Sequence, residues 1–137
     1  MAFVVDASVS LAWCFEDEAS AFADGVLSRL EDEEAVAPSI WPLEVANGLR
    51  SAERRGRIDE REVPAVIRLF ATLPIEVVPT HLEQALGDVL FLARAAGLSA
   101  YDAAYLDLAL RRGLPLATAD EYLADAARAA GVEVLAA

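Results

Sequence analysis

The sequence has 137 residues, of which 56% are hydrophobic, and this length and composition fit one domain with its own core. Its 23 acidic residues against 11 basic ones, all arginine, give a formal net charge of -12. This charge repels polyanions, so it excludes non-specific binding to nucleic acid; a nucleic acid must be held by a local arginine cluster or through metal ions. Cys14 is the only cysteine, which excludes an internal disulfide.

Hydrophobic periodicity predicts strands that alternate with helices along the whole chain. Glycines follow four of the predicted helices, and Thr80 with Glu83 forms a capping-box pattern before one of them, the helix over 81–96. The predicted order is strand 3–5, helix 7–15, helix 19–30, strand 35–37, helix 41–55, helix 59–72, strand 75–79, helix 81–96, helix 100–112, strand 116–118, helix 121–130 and strand 132–135.

This alternation predicts the α/β class, because parallel neighbouring strands need crossover connections and helices make those connections. We expect a three-layer α/β/α sandwich whose central, mostly parallel sheet has four to five short strands. Short apolar stretches near the N-terminus and an acidic residue at position 6 favour neither a membrane span nor a signal peptide, so we expect a soluble cytoplasmic protein.

Acidic side chains follow three of the predicted strands. Asp6 comes directly after the first strand, Glu44 lies in the first turn of the helix after the second, and Asp120 stands two residues beyond the fourth. Asp102 joins them if its helix begins at the same edge of the sheet. In parallel sheets, ligands bind at the carboxyl ends of the strands, so these four residues are the candidates for chemistry.

Each of these acids also has a purely structural explanation. Asp6 and Asp120 could cap the helices that follow them, Asp102 could belong to a capping box opened by Ser99, and Glu44 could favour the positive end of its helix. Taken together the four are harder to explain this way, because helix caps need not fall at one end of a sheet.

Four clustered carboxylates repel one another, so they must take up protons or bind a cation. A set of oxygen ligands without cysteine or histidine suits Mg²⁺ or Mn²⁺ better than zinc. One or two such ions polarise a phosphoryl oxygen and generate hydroxide from bound water. The residues therefore indicate metal-dependent hydrolysis of phosphodiester bonds.

Four motifs in the chain resemble those of the PIN-domain family, and within it those of the VapC-type toxins of toxin-antitoxin pairs. The resemblance covers nearly the whole chain, which implies a single PIN-like nuclease domain over residues 1–137. The motifs, in order, are Val4-Val5-Asp6-Ala7-Ser8, Pro42-Leu43-Glu44-Val45-Ala46-Asn47, Ser99-Ala100-Tyr101-Asp102-Ala103-Ala104-Tyr105 and Leu116-Ala117-Thr118-Ala119-Asp120.

The resemblance implies an Mg²⁺- or Mn²⁺-dependent ribonuclease that acts as a toxin, forms a homodimer and is blocked by a cognate VapB-type antitoxin. By motif position, the catalytic, metal-binding acids are Asp6, Glu44, Asp102 and Asp120. The supporting polar residues, which orient water, metal or carboxylates, are Ser8, Asn47 and Thr118.

Arginines on and after the Glu44 helix form the only dense basic patch of the sequence. Arg50, Arg54 and Arg55 are candidates for contacts with RNA phosphates, and Arg57 and Arg61 extend the patch. The alternative is a solvated helix end, where basic residues suit the helix dipole.

Two other classes of function remain open from the sequence. A phosphoacceptor signalling domain is also small, acidic and α/β, but such domains and related phosphatases normally use a lysine near the phosphate, and this chain has none. A non-catalytic PIN-fold module that binds an antitoxin or RNA is the second alternative; the intact acids weigh against it.

Overall fold

The structure is a computed structural model that describes residues 1–135. Its five strands are β1 (Ala2–Val5), β2 (Glu34–Pro38), β3 (Ile75–Val78), β4 (Leu116–Ala117) and β5 (Val134–Leu135). Its helices are α1 (Ala7–Ala12), α2 (Ala21–Arg29), α3 (Trp41–Arg54), α4 (Val63–Thr72), α5 (Leu82–Gln84), α6 (Leu90–Ala96), α7 (Ala100–Arg112) and α8 (Glu121–Ala129).

The strands form one sheet in the order β3-β2-β1-β4-β5, and every pair is parallel. Phe3, Val4 and Val5 of β1 are all fully buried. Because successive side chains of a strand point to opposite faces, helices cover both faces of the sheet at its centre. The predicted α/β sandwich with a parallel sheet is confirmed.

The direction in which the chain adds strands reverses at β1. From β1 the chain adds β2 and then β3 on one side, and it then crosses over to place β4 and β5 on the other side. In such sheets the crevice outside the carboxyl ends of the strands lies at this reversal, which here is between β1 and β4. Asp6 follows β1 and Thr118 follows β4, so both lie at the crevice.

Several predicted boundaries differ from the structure. The first helix ends at Ala12 rather than at residue 15, because the chain turns so that the Trp13 indole donates to the carbonyl of Ala23 in α2 (2.9 Å). The predicted helix over 81–96 begins at Leu82 and passes through a π-helical segment, Ala85–Val89, between α5 and α6.

The capping box predicted from Thr80 and Glu83 is wrong. His81 occupies the N-cap position of α5, and no side chain makes a capping hydrogen bond there. Ser20 and Ser99, by contrast, cap α2 and α7 with their hydroxyl oxygens. None of the helices within residues 1–135 is long and apolar enough to cross a bilayer.

Helices α1 and α3 approach each other closely, and a glycine makes this possible. A Cβ atom on Gly48 of α3 would lie 2.5 Å from a terminal methyl carbon of Leu11 in α1. The same two helices are joined near the sheet, where the Trp41 indole donates to the Ser10 hydroxyl (2.9 Å), which donates to the Asp6 carbonyl (2.9 Å). The approach fixes α3, and with it Glu44, relative to Asp6.

We expect Gly48→Ala to destabilise the protein by about 1 kcal/mol, because crowding of Leu11 outweighs the better helix propensity of alanine. The matched control is Gly25→Ala in α2, where the new Cβ meets nothing within 4 Å. That substitution should gain up to about 1 kcal/mol. Urea unfolding of both variants measures the difference, and equal gains would show that no close approach exists.

Candidate active site

Asp6 is almost completely buried, with 4% of its surface exposed, and all its hydrogen bonds come from the chain. Its Oδ1 accepts from the Ser8 hydroxyl (2.7 Å) and from the Val9 amide (3.1 Å), which makes it the N-cap of α1. Its Oδ2 accepts from the Thr118 hydroxyl. Asp6 therefore joins the end of β1 to the end of β4.

Ser8 and Thr118 also hold the loop that follows β4. The Ala119 amide donates to the Ser8 hydroxyl (3.0 Å), and the Asp120 amide donates to the Thr118 hydroxyl (3.0 Å). The two hydroxyls thus stand between Asp6 and the backbone that carries Asp120. Their positions fix the separation of these two acids.

Burial raises the pKa of Asp6 from 3.8 to about 6. The hydrogen bonds from Thr118, Ser8 and the Val9 amide oppose this shift, and the negative charge of Asp120 adds to it. The charged form of the Asp6 carboxyl therefore destabilises the folded protein unless a proton or a cation neutralises it.

Glu44 lies half-buried in the first turn of α3, where Tyr105 of α7 holds it. The Tyr105 hydroxyl donates to Glu44 Oε1 over 2.6 Å, and Tyr105 itself is 1% exposed. Burial raises the pKa of Glu44, the Tyr105 hydrogen bond lowers it, and the charge of Asp102 raises it further. Burial and the neighbouring Glu44 also raise the pKa of Tyr105, so the phenol stays a hydrogen-bond donor.

Asp102 and Asp120 occupy the starts of two helices at the same edge. Asp102 lies in the first turn of α7, and its pKa is raised first by burial and then by the charge of Asp120. Asp120 is the N-cap of α8 and accepts from the amides of Tyr122 (2.9 Å) and Leu123 (3.3 Å). The helix caps that the sequence left as alternatives for Asp6 and Asp120 are therefore present.

The structure brings all four predicted acids together as electrostatic neighbours. The charge of Asp120 raises the pKa of Asp6 and of Asp102, and the charge of Asp102 raises the pKa of Glu44. The four acids therefore form a row in which each acid is close enough to the next to affect it. Helix capping alone gives no reason for such a row of like charges.

The row does not close around one point. Within residues 1–135, no three side chains among the aspartates, glutamates, cysteine and histidine are gathered closely enough to enclose a metal ion. Hydrogen bonds explain the spacing, since Asp6, Asp120 and Glu44 are each tied to their own donors. The donor set, made only of carboxylate oxygens with raised pKa values for three of them, is nevertheless the kind that a hard divalent cation prefers.

The third predicted supporting residue, Asn47, is placed differently from the other two. It lies exposed on α3, three residues after Glu44 and on the same side of the helix, and it makes no side-chain hydrogen bond to the four acids in the structure of residues 1–135. Ser8 and Thr118 contact a carboxylate, whereas Asn47 lines an open groove beside Glu44.

The arginine patch lies away from the carboxylates. Arg54 and Arg55 are exposed at the end of α3, about 15 Å along the helix axis from Glu44. Arg50 is paired with Glu53 (3.4 Å). Among the arginines that extend the patch, Arg57 is paired with Asp17 and Glu18 and Arg61 with Asp59, so much of the positive charge is neutralised locally.

Sequence reasoning assigned no role to Tyr105 or Ser10, and the structure places both around the acids. Tyr105 stands three residues after Asp102, one helical turn along the same face, and this spacing is the signal that could have indicated it. The contact between Trp41 and Ser10 joins residues 31 positions apart, and no local pattern predicts it.

Several known proteins are similar to this chain over most of its length. The chain is 33% identical over 129 residues to a protein named ribonuclease VapC3 from Pyrobaculum aerophilum, covering 91% of this chain and 94% of that protein. The crystal structure of PAE2754 from Pyrobaculum aerophilum is similar with a TM-score of 0.69 and 25% identity, over 98% of this chain and 90% of that chain.

Another solved structure has the same fold at low sequence identity. The crystal structure of VapBC2 from Rickettsia felis, bound to a DNA fragment from their promoter, has a TM-score of 0.68 at 11% identity, over 99% of this chain and 98% of that chain. The family model for the PIN domain matches residues 3–129, which include all four acids. With the family match and the curated relative over most of its length, the chain belongs to the PIN-domain family, as the sequence motifs predicted.

Proposed function

We propose that the chain, as one nuclease domain over residues 1–137, is an Mg²⁺- or Mn²⁺-dependent endoribonuclease of the VapC type. It hydrolyses RNA phosphodiester bonds in the cytoplasm and so inhibits translation and growth. A VapB-type antitoxin blocks it, and it acts as a homodimer. The observation that carries the proposal is the row of four carboxylates at the crevice between β1 and β4, where the charge of Asp120 raises the pKa of Asp6 and of Asp102 and the charge of Asp102 raises the pKa of Glu44.

Asp6, Glu44, Asp102 and Asp120 would hold the ion, which supplies polarisation of the phosphate and a lowered pKa for water when it is bound. The chain fixes the ligands beforehand. Ser8 and Thr118 turn the Asp6 carboxylate towards the crevice edge, and Tyr105 holds one oxygen of Glu44. The hydrogen bonds of Asp120 to the first amides of α8 keep it in place.

The repulsion among the four acids favours the binding of a cation. Neighbouring negative charges destabilise the folded state. A divalent cation that binds between them in the folded protein offsets this repulsion and so stabilises the fold. The proposed site therefore weakens the fold when it is not neutralised, as is common for functional sites. The role of Arg50, Arg54 and Arg55 in binding RNA stays a prediction.

The proposed metal site predicts stabilisation by Mg²⁺ or Mn²⁺ and cleavage of RNA by the same preparation. At ten times the dissociation constant, a cation should add about 1.4 kcal/mol of stability, measured as a rise of the thermal midpoint. Asp102→Asn should lose both the rise and the ribonuclease activity, while Asp32→Asn, in an exposed turn at the opposite edge of the sheet, should keep both.

Toxicity separates catalysis from mere binding. Expressed without an antitoxin, the wild type should stop growth and Asp102→Asn should not. If Asp102→Asn remains as toxic and as active on RNA as the wild type, the metal mechanism is wrong. If Asp102→Asn remains toxic and neither protein cuts RNA, the non-catalytic module becomes the better account.

The raised pKa of Asp6 predicts a pH-dependent gain from Asp6→Asn. A carboxyl whose folded pKa of about 6 exceeds its unfolded value stabilises the protein at pH values below about 4, and this contribution is lost as the pH rises through 6. Asparagine still caps α1 but carries no charge. Without divalent ions, Asp6→Asn should therefore be about 3 kcal/mol more stable than the wild type at pH 8, and the difference should vanish near pH 4.

Urea unfolding across this pH range measures the effect, with Asp32→Asn as the exposed control whose difference from the wild type should stay constant. A flat difference for Asp6→Asn would contradict the raised pKa. Ribonuclease activity of the Asp6→Asn variant should be lost at every pH, so the gain in stability and the loss of function would appear in one protein.

Tyr105→Phe should lower the ribonuclease rate by about tenfold, because it removes the hydrogen bond to Glu44 and leaves the buried ring in place. That hydrogen bond lowers the pKa of Glu44, so its loss should also move the acidic limb of the pH–rate profile to higher pH. Tyr122→Phe removes the hydroxyl of an 83% exposed tyrosine and should change neither quantity. An unshifted acidic limb in Tyr105→Phe would show that the hydroxyl does not tune Glu44.

A further inference from the structure

A groove opens directly beside Glu44, and Ala7, the residue after Asp6, also lines it. It has a volume of about 480 Å³, and the residues used below that line it are Leu43, Glu44, Asn47, Ser51 and Tyr101. We call it the Tyr101 groove. This volume lies in the range of pockets that hold small organic groups. The groove and the row of acids share Glu44. An RNA whose phosphate lies over the acids would therefore have a neighbouring nucleotide beside this groove.

Tyr101 presents a free aromatic face to the groove. It is 60% exposed although it is a large aromatic residue, and it immediately precedes Asp102 in α7. Its hydroxyl makes no hydrogen bond in the structure of residues 1–135. Leu43, 67% exposed, is a second apolar side chain on the groove. An exposed tyrosine next to an aliphatic side chain is a surface on which an unstacked base can lie.

Asn47 supplies the polar group of the groove. Its amide carries both a donor and an acceptor, as the edge of a nucleobase does, and it is not engaged by the four acids. An amide hydrogen-bonded to one of the four acids would help to position that carboxylate. In the part of the chain that the structure describes, the Asn47 amide makes no such bond and lines the same groove as Tyr101, which suits a contact with the edge of a base. The position of Asn47, one helical turn after Glu44, puts this group next to the acids.

The negative charge of the protein favours a contact with RNA that does not depend on positively charged side chains. The chain carries a net charge of -12, Arg54 and Arg55 lie at the far end of α3, and the other arginines of the patch, Arg50, Arg57 and Arg61, are in ion pairs with acidic side chains. Phosphate contacts, which dominate the affinity of most RNA-binding proteins, are therefore weak near the acids. Stacking on an aromatic ring contributes affinity without positive charge.

We propose that the Tyr101 groove binds the base of the nucleotide next to the phosphate that is cut, with Tyr101 stacking on its face and Asn47 contacting its edge. This rests on the proposed ribonuclease function and assigns the residues that select where RNA is cut. The nucleotide must be unpaired, because a base inside a duplex is already stacked and cannot offer its face. Tyr101 and Asn47 then set the base preference, while the four acids act on the phosphate alone.

The test measures binding separately from cleavage. All variants are made in the Asp102→Asn background so that the RNA stays intact, and the probes are ten-nucleotide single-stranded RNAs that carry 2-aminopurine at each position in turn. The fluorescence of 2-aminopurine falls when it stacks on an aromatic ring. Tyr101→Ala should abolish the quenching at one position and weaken binding by about 10- to 100-fold, and Tyr101→Phe should keep both.

Two controls make the result specific. Tyr122→Ala removes an even more exposed tyrosine that lies two residues after Asp120 and does not line the groove, so it should leave quenching and affinity unchanged. An RNA with an abasic site at the quenched position should bind the protein with Tyr101 intact at least as weakly as normal RNA binds Tyr101→Ala. Adding the abasic site should weaken RNA binding less in Tyr101→Ala than in the protein with Tyr101 intact, because the stacking contact is already lost and only the Asn47 contact remains to be removed.

The outcomes separate this inference from the function on which it rests. If the protein with Asp102 intact cuts no RNA with Mg²⁺ or Mn²⁺, the proposed function fails. If it cuts RNA but Tyr101→Ala behaves like Tyr122→Ala in binding and in base preference, the groove is not a base site. The inference is equally overturned if Tyr101→Ala leaves RNA binding intact and weakens only the binding of a protein partner, since the groove then belongs to that partner.

Discussion

The hydrogen bonds between Asp6 and the hydroxyls of Ser8 and Thr118 are the constraint on which the rest of the site depends. They hold the end of β1 against the end of β4, where only two residues of each strand are paired. A pair of strands this short needs other contacts to fix it, and a buried carboxylate with two hydroxyl donors supplies them. The same carboxylate is the first member of the row of acids, so the fold and the site share one group.

This sharing explains why the structural and the functional accounts of the acids are both correct in part. Asp6 and Asp120 cap helices, and a cap by itself needs only one oxygen of the carboxylate. The second oxygen of Asp6 accepts from Thr118, whereas the cap bonds of Asp120 both go to its Oδ1 and leave its Oδ2 for another partner. A helix N-terminus also favours a negative charge close to it, so the starts of α1, α7 and α8 allow acids to gather where burial alone would not.

Much of the architecture could be predicted from the sequence, because strands and helices differ in the period of their apolar residues and the alternation fixes a parallel sheet. The positions of Asp6 and Asp120 followed from the same reasoning, since Asp6 comes directly after a predicted strand and Asp120 stands two residues beyond another. Contacts between distant residues could not be predicted in this way. The hydrogen bond from Tyr105 to Glu44 spans 61 positions and depends on how α7 packs beside α3. The π-helical segment and the missing cap at Thr80 depend on tertiary packing, which overrides local preference.

The contact between Thr118 and Asp6 also has a consequence for the synthesis of the chain. The two residues are 112 positions apart, and the loop that carries Asp120 joins Ser8 over a separation of 111. A growing chain supplies the local donors of Asp6, the Ser8 hydroxyl and the Val9 amide, long before Thr118 leaves the ribosome. A chain that stops before residue 118 therefore lacks the donor to the second Asp6 oxygen, and it also lacks Asp120. We expect such fragments to be degraded by proteases, because the end of β1 has no contact with the end of β4.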